Sequence, residues 1–86
     1  MDNQRILREL LDLAQKLGIE VREVFLGGAG GGLCRLRERQ VLFLDTAAEL
    51  ADQVARTAAA LAGLAELQGM YILPEVREVM ERYGEK

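Results

Sequence analysis

Between Asn3 and Leu17 apolar side chains return at steps of three and four: Ile6, Leu7, Leu10, Leu11, Leu13, Ala14 and Leu17. That spacing lines one side of a helical repeat and predicts an amphipathic helix over 3–17. Asp2 or Asn3 is placed to accept an orphan N–H of the first turn. Gly18 suits the left-handed position that ends a helix, with Ile19 folding back onto the last turn. Beyond it the pattern changes. The stretch IEVREVFL, residues 19–26, is β-branched, aromatic and partly alternating, and it predicts a strand.

A glycine run follows, and then LCRLR and QVLFLD flank Glu38 and Arg39. This predicts a hairpin with Glu38 and Arg39 as its turn, although the pair is poor turn chemistry beside Asn-Gly. In that register Arg37 faces Gln40, Leu36 faces Val41, Arg35 faces Leu42 and Cys34 faces Phe43. Side chains alternate across a strand. One face therefore carries Cys34, Leu36, Val41 and Phe43, and the other carries Leu33, Arg35, Arg37, Leu42 and Leu44. The first is wholly apolar and is expected to meet the helices. The second mixes arginine with leucine and is expected to be only partly covered.

Asp45 and Thr46 end the last strand. Thr46 and Glu49 have the spacing of a capping box, which predicts a long helix from there to about Gln68, stopped by Gly69. Leu50, Val54, Ala58, Leu61, Ala62 and Ala65 form its buried stripe, and Glu49, Asp52, Gln53 and Arg56 its wet side. Pro74 opens PEVREVMERY, where its missing N–H costs nothing, and Val76, Val79, Met80 and Tyr83 make a final stripe. The order is α-β-β-β-α-α. It predicts one α/β domain of the α+β type over residues 1–86, with a three-stranded antiparallel sheet on two helices and a short C-terminal helix closing one edge.

Composition narrows the chemistry. A chain of 86 residues makes a single thin core, for which a partner subunit is a common support. Its one cysteine cannot form an internal disulfide and fits a reducing, cytoplasmic setting. Histidine is absent, which removes the commonest zinc ligand and the usual general base. The net charge is −3, with signs mixed along the chain and no basic block, so nucleic acid is not an expected partner. Charges interrupt every apolar run near the start, which speaks against a signal peptide or a membrane span.

The run GGAGGGLC, residues 27–34, is the most unusual stretch. It lacks the dinucleotide spacing and is followed by a strand, and it lacks the lysine and hydroxyl of a P-loop. A backbone anion nest remains as one reading, with Gly28, Gly30, Gly31 and Gly32 supplying N–H groups and Arg35 or Arg37 the counter-charge. A second is a mobile or tightly bent strand connection that needs positive φ, and a third is close approach of a partner chain. Cys34 reads either as a small apolar residue under a helix or as a redox thiol. Asp45 and Glu49 read as capping residues before they read as a metal pair. Ala51, Ala55, Ala59 and Gly63 recur at steps of four and would let another helix approach closely.

At GGGLCRLRERQVLFLD and again at YILPEVREVMER the chain resembles short bacterial proteins with a Gly-Gly-x-Cys-x-Leu hairpin and a late Pro-x-Val-Arg segment. Gly31, Gly32, Cys34, Leu36 and Pro74 carry the resemblance, which covers about the last two thirds of the chain. It implies a free-standing bacterial cytoplasmic protein and no particular activity. A strand hairpin leading into a helix is also similar to small zinc peptidases, which carry His-Glu-x-x-His on that helix. The corresponding stretch here is ARTAAALAG, without a ligand, so that likeness implies a shared fold and not the chemistry.

These features imply a non-enzymatic interaction module, either a homodimer or the small subunit of a larger assembly. Its contact would be carried by Leu42 and Leu44 on the second sheet face, or by Ala55, Ala59 and Gly63 on the long helix. Two alternatives stay open: a small-ligand or anion-binding protein using the Gly27–Gly32 loop, and a thiol switch at Cys34. No cofactor, metal ligand or catalytic residue is expected.

Overall fold

The computed structural model describes residues 1–28, 31–64 and 67–84. The expectations placed on Gly30 and Ala65 lie outside these residues. Helix α1 spans Asn3–Lys16, followed by strands β1 (Glu20–Val24), β2 (Gly32–Leu36) and β3 (Arg39–Asp45), then helices α2 (Leu50–Ala62) and α3 (Pro74–Gly84). The Asp2 side chain caps α1 by accepting the Arg5 N–H at 2.9 Å. Gly18 takes φ +80° after the last turn, and the Ile19 N–H returns to the Ala14 carbonyl at 3.0 Å, which buries Ile19.

The second helix is shorter than its apolar pattern suggests. It starts at Leu50, and its N-cap, Glu49, makes no side-chain capping bond. Thr46 is not part of a capping box either. Its N–H and hydroxyl both donate to the Val24 carbonyl, at 2.8 and 3.3 Å, so it extends the strand pairing. The Asp45 carboxylate accepts the Ala47 N–H at 2.9 Å, a side-chain turn that holds the backbone out of the helix for a few residues. Helix α3 packs against α2 and α1 and does not close a sheet edge. Gly84 lies so close to Ala62 that a methyl group there would collide with it.

The sheet is mixed, which corrects the antiparallel expectation. Strand β3 is central in the order β1-β3-β2, parallel to β1 and antiparallel to β2. Because β1 and β2 flank β3, the chain leaving β1 must cross the C-terminal end of β3 before it can enter β2. Two strand spacings, about 10 Å, separate those edges. The glycine run makes that crossing. Gly27, Gly28, Gly31 and Gly32 all have positive φ, from 75° to 131°, a region side chains rarely tolerate. At Gly31 space also excludes a side chain, since a Cβ would stand 3.2 Å from the Phe43 carbonyl oxygen.

The hairpin turn falls on Arg37 and Glu38, not on Glu38 and Arg39, so Cys34 pairs with Val41 and Leu36 with Arg39. The shift is two residues, which leaves the alternation unchanged. Cys34, Leu36, Val41 and Phe43 share one face, and Leu33, Arg35, Leu42 and Leu44 share the other. What reverses is which face meets the helices. Leu42 and Leu44 belong to the core with Ile6, Leu10, Ala14, Val54, Ala58 and Leu61, and Leu33 and Val21 pack at its margin. Helix α1 lies against β1, and α2 against β2 and β3. The Cys34 face points away from them. The reason is visible in the rows across the sheet. Val21, Leu42 and Leu33 stand side by side, an apolar row spanning all three strands. On the other face β1 contributes Glu20 beside Val41 and Arg22 beside Phe43, so both rows are broken by charge.

Candidate functional site

The open face of the sheet is built from Glu20, Arg22 and Val24 of β1, Arg39, Val41, Phe43 and Asp45 of β3, and Gly32, Cys34 and Leu36 of β2. Phe43 stands opposite Gly32, which has no side chain to fill the space beside the ring. The result is a shallow groove of about 370 Å³, walled by Val24, Leu26, Cys34 and Phe43 over the backbone of Gly31 and Gly32. Leu26 and Leu36 are 44% and 43% exposed and Phe25 is 78% exposed, although Val41 at the centre is fully buried. The Cys34 thiol is half-buried on this face. Its position under a helix, expected from the sequence, is therefore corrected.

Charge gathers toward the hairpin. The Glu20 carboxylate accepts from Arg22 Nε and, at 2.9 Å, from an Arg39 guanidinium nitrogen. These two hydrogen bonds, the Arg22 one first, hold the Glu20 carboxyl below its ordinary titration range despite its exposure to solvent. Arg35 and Arg37 make no ion pair among the described residues. With Arg22, Arg39, Leu36 and Glu38 they border an open hollow of about 830 Å³ at the turn. Arg37 occupies the first turn position at φ +57°, where a side chain costs about 1 kcal/mol relative to glycine.

Among the described residues of the anion-nest reading the glycines and arginines stand apart, and Arg35 lies on the sheet face that meets the helices. Gly31 and Gly32 lie beside Phe43, near the C-terminal end of β3, while Arg37 lies at the opposite end of β2, about 15 Å away along the strand. A buried carboxylate lies beside the glycine crossing. Asp45 is 2% exposed, accepts the Leu26 and Ala47 N–H groups at 2.9 Å each, and thereby ties the crossing to the start of α2. Its own carbonyl accepts from Gln53 Nε2 at 2.9 Å. Asp45 read as a helix cap in the sequence.

Leu42 and Leu44, expected at an interface, are buried in the core, so the sheet surface free for a partner is the other one. On α2 Ala59 is exposed and Ala55 half-buried, and Gly63, the C-cap, is exposed, so the row of small residues lies along the rim of the helix layer. The Glu20–Arg22–Arg39 cluster was not singled out from the sequence. Glu20 and Arg22 two apart on a strand were the local signal, but Arg39 joins them only through the strand order. Among the described residues no group of three or more His, Cys, Asp or Glu is placed to hold a metal ion, and no helix is long and apolar enough to cross a membrane. No family model, curated protein or solved structure matches the chain.

Proposed function

We propose that this chain is a non-enzymatic interaction module that pairs with a second copy of itself through the open face of its sheet. The observation that carries this reading is the apolar surface of Val24, Leu26, Cys34, Leu36 and Phe43 on the face opposite the helices. Apolar side chains left uncovered on so small a domain favour burial against a partner, and the charges between them require a partner that pairs them. Both signs of charge lie on the same face, so two copies related by a two-fold axis can set Glu20 of one against Arg22 or Arg39 of the other. The loop-ligand reading has less support, because the buried Asp45 carboxylate sits beneath the crossing.

Light scattering across micromolar concentrations tests the proposal. The wild-type protein is expected to be dimeric, and Leu36→Glu with Phe43→Lys is expected to be monomeric with an unchanged circular dichroism spectrum. Alkylation of Cys34 in the native protein gives a second readout, since labelling is expected to slow as the protein concentration rises. A monomer throughout, with concentration-independent labelling, overturns self-pairing.

A further inference from the structure

We propose that the arginine hollow at the β2–β3 turn binds a multiply charged phosphate anion. This goes beyond the self-pairing above: it uses the hairpin end of the sheet and shares with that pairing only Arg22, Arg39 and Leu36. Three observations carry it. First, Arg22 and Arg39 from the open face, Arg37 from the turn and Arg35 from the other side of the β2 edge all border one open hollow, although the chain as a whole is acidic at −3. Four of its eleven basic residues gather here against two carboxylates, Glu38 and Glu20, so the turn is locally positive while the rest of the chain is more negative than the total. Second, internal pairing does not neutralise the cluster. Glu20 is shared between Arg22 and Arg39, and Arg35 and Arg37 have no ion-pair partner among the described residues. Third, Arg37 keeps a left-handed backbone, φ +57°, at a turn position better suited to glycine. Strain retained at an exposed, charged turn points to a use for the side chain.

Every cation in the cluster is arginine. The planar guanidinium fork matches the oxygens of phosphate in paired hydrogen bonds, which a lysine ammonium does not. No aromatic side chain borders the hollow, so stacking of a nucleobase is not provided for, and the phosphate chain itself is the recognised group.

Calorimetric titration with tripolyphosphate, ATP and oligoglutamate at low salt tests this, in the wild type and in Arg35→Gln, Arg37→Gly and Arg56→Gln. Tripolyphosphate is expected to bind, and loss of Arg35 or Arg37 to weaken it by about tenfold, the cost of one charge-assisted contact. Arg56→Gln on α2 removes the same charge elsewhere and is expected to leave affinity unchanged. Arg37→Gly is expected to raise the melting temperature while lowering affinity, which a purely structural role for Arg37 does not produce. ATP binding as tightly as tripolyphosphate identifies the bare phosphate chain, and tighter binding identifies a nucleotide source. The proposal is overturned if tripolyphosphate gives no heat at millimolar concentration, if Arg56→Gln weakens it equally, or if oligoglutamate binds as well. These results are kept separable from the oligomeric state by recording light scattering on the same wild-type and single-arginine samples, because Leu36, altered in the dimer test, borders the hollow.

Discussion

The two faces of the sheet differ less in how many apolar side chains they carry than in how those side chains are arranged. The covered face has Val21, Leu33, Leu42 and Leu44, with Glu23, Arg35 and Gln40 displaced toward its ends. The open face has Val24, Cys34, Leu36, Val41 and Phe43, yet β1 places a charge in register beside each of the two central residues. A helix layer needs a continuous apolar strip across neighbouring strands, because a charge inside it must be desolvated. One such strip, Val21–Leu42–Leu33, is enough to choose the face. Charges at the ends of strands do not compete, since arginine can reach past the helices into water.

The sharpest way to break this comparison is to cut into the strip. Leu42→Ala is expected to cost about 3 kcal/mol, because the fully buried site leaves a cavity under α2. Phe43→Ala, next along the strand but half-buried on the open face, is expected to cost less than half as much by urea denaturation. Equal costs would mean that the open face is as tightly packed as the core.

The next effect concerns the crossing that puts β1 beside β3. Asp45→Ala leaves the Leu26 and Ala47 N–H groups without their acceptor and is expected to cost about 2 kcal/mol. Limited proteolysis should then cut near Gly27 before the domain unfolds, whereas uniform digestion would show that Asp45 does not hold the crossing. Gly31→Ala is expected to cost more than Gly27→Ala, since both have positive φ but only Gly31 faces the Phe43 carbonyl. A smaller change of opposite sign belongs to the turn. Arg37→Gly is expected to stabilise the fold by about 0.5 kcal/mol through relief of its backbone.

The smallest effect is the pH dependence of the open face. The Glu20 carboxyl is lowered by hydrogen bonds from Arg22 and then Arg39. A depressed folded-state pKa gives stability that is present above the unfolded value and lost as pH falls through the folded one. Glu20→Gln should therefore remove a slight acid-side loss of stability, seen as a flatter denaturation midpoint from neutral pH downward. An identical profile in both proteins would show that the cluster does not stabilise the fold.

Much of this architecture is local and was legible in the chain. The stripe from Ile6 to Leu17, the Asp2 cap, the Gly18 stop and Pro74 at the start of α3 follow from helix spacing and capping chemistry, which act within a few residues. Alternation alone sorted the hairpin side chains correctly into two groups. It could not say which group meets the helices, because that depends on β1, separated from β2 by the glycine crossing. Once β1 lies parallel to β3, Val21 completes one apolar row while Glu20 and Arg22 interrupt the other face. The same long-range pairing brings Arg39 to Glu20, turns Asp45 from a helix cap into the anchor of the crossing, and gives the glycine run its purpose. Sequence fixes what each strand can offer to either side. Desolvation of charge, acting across three strands at once, decides which side is closed.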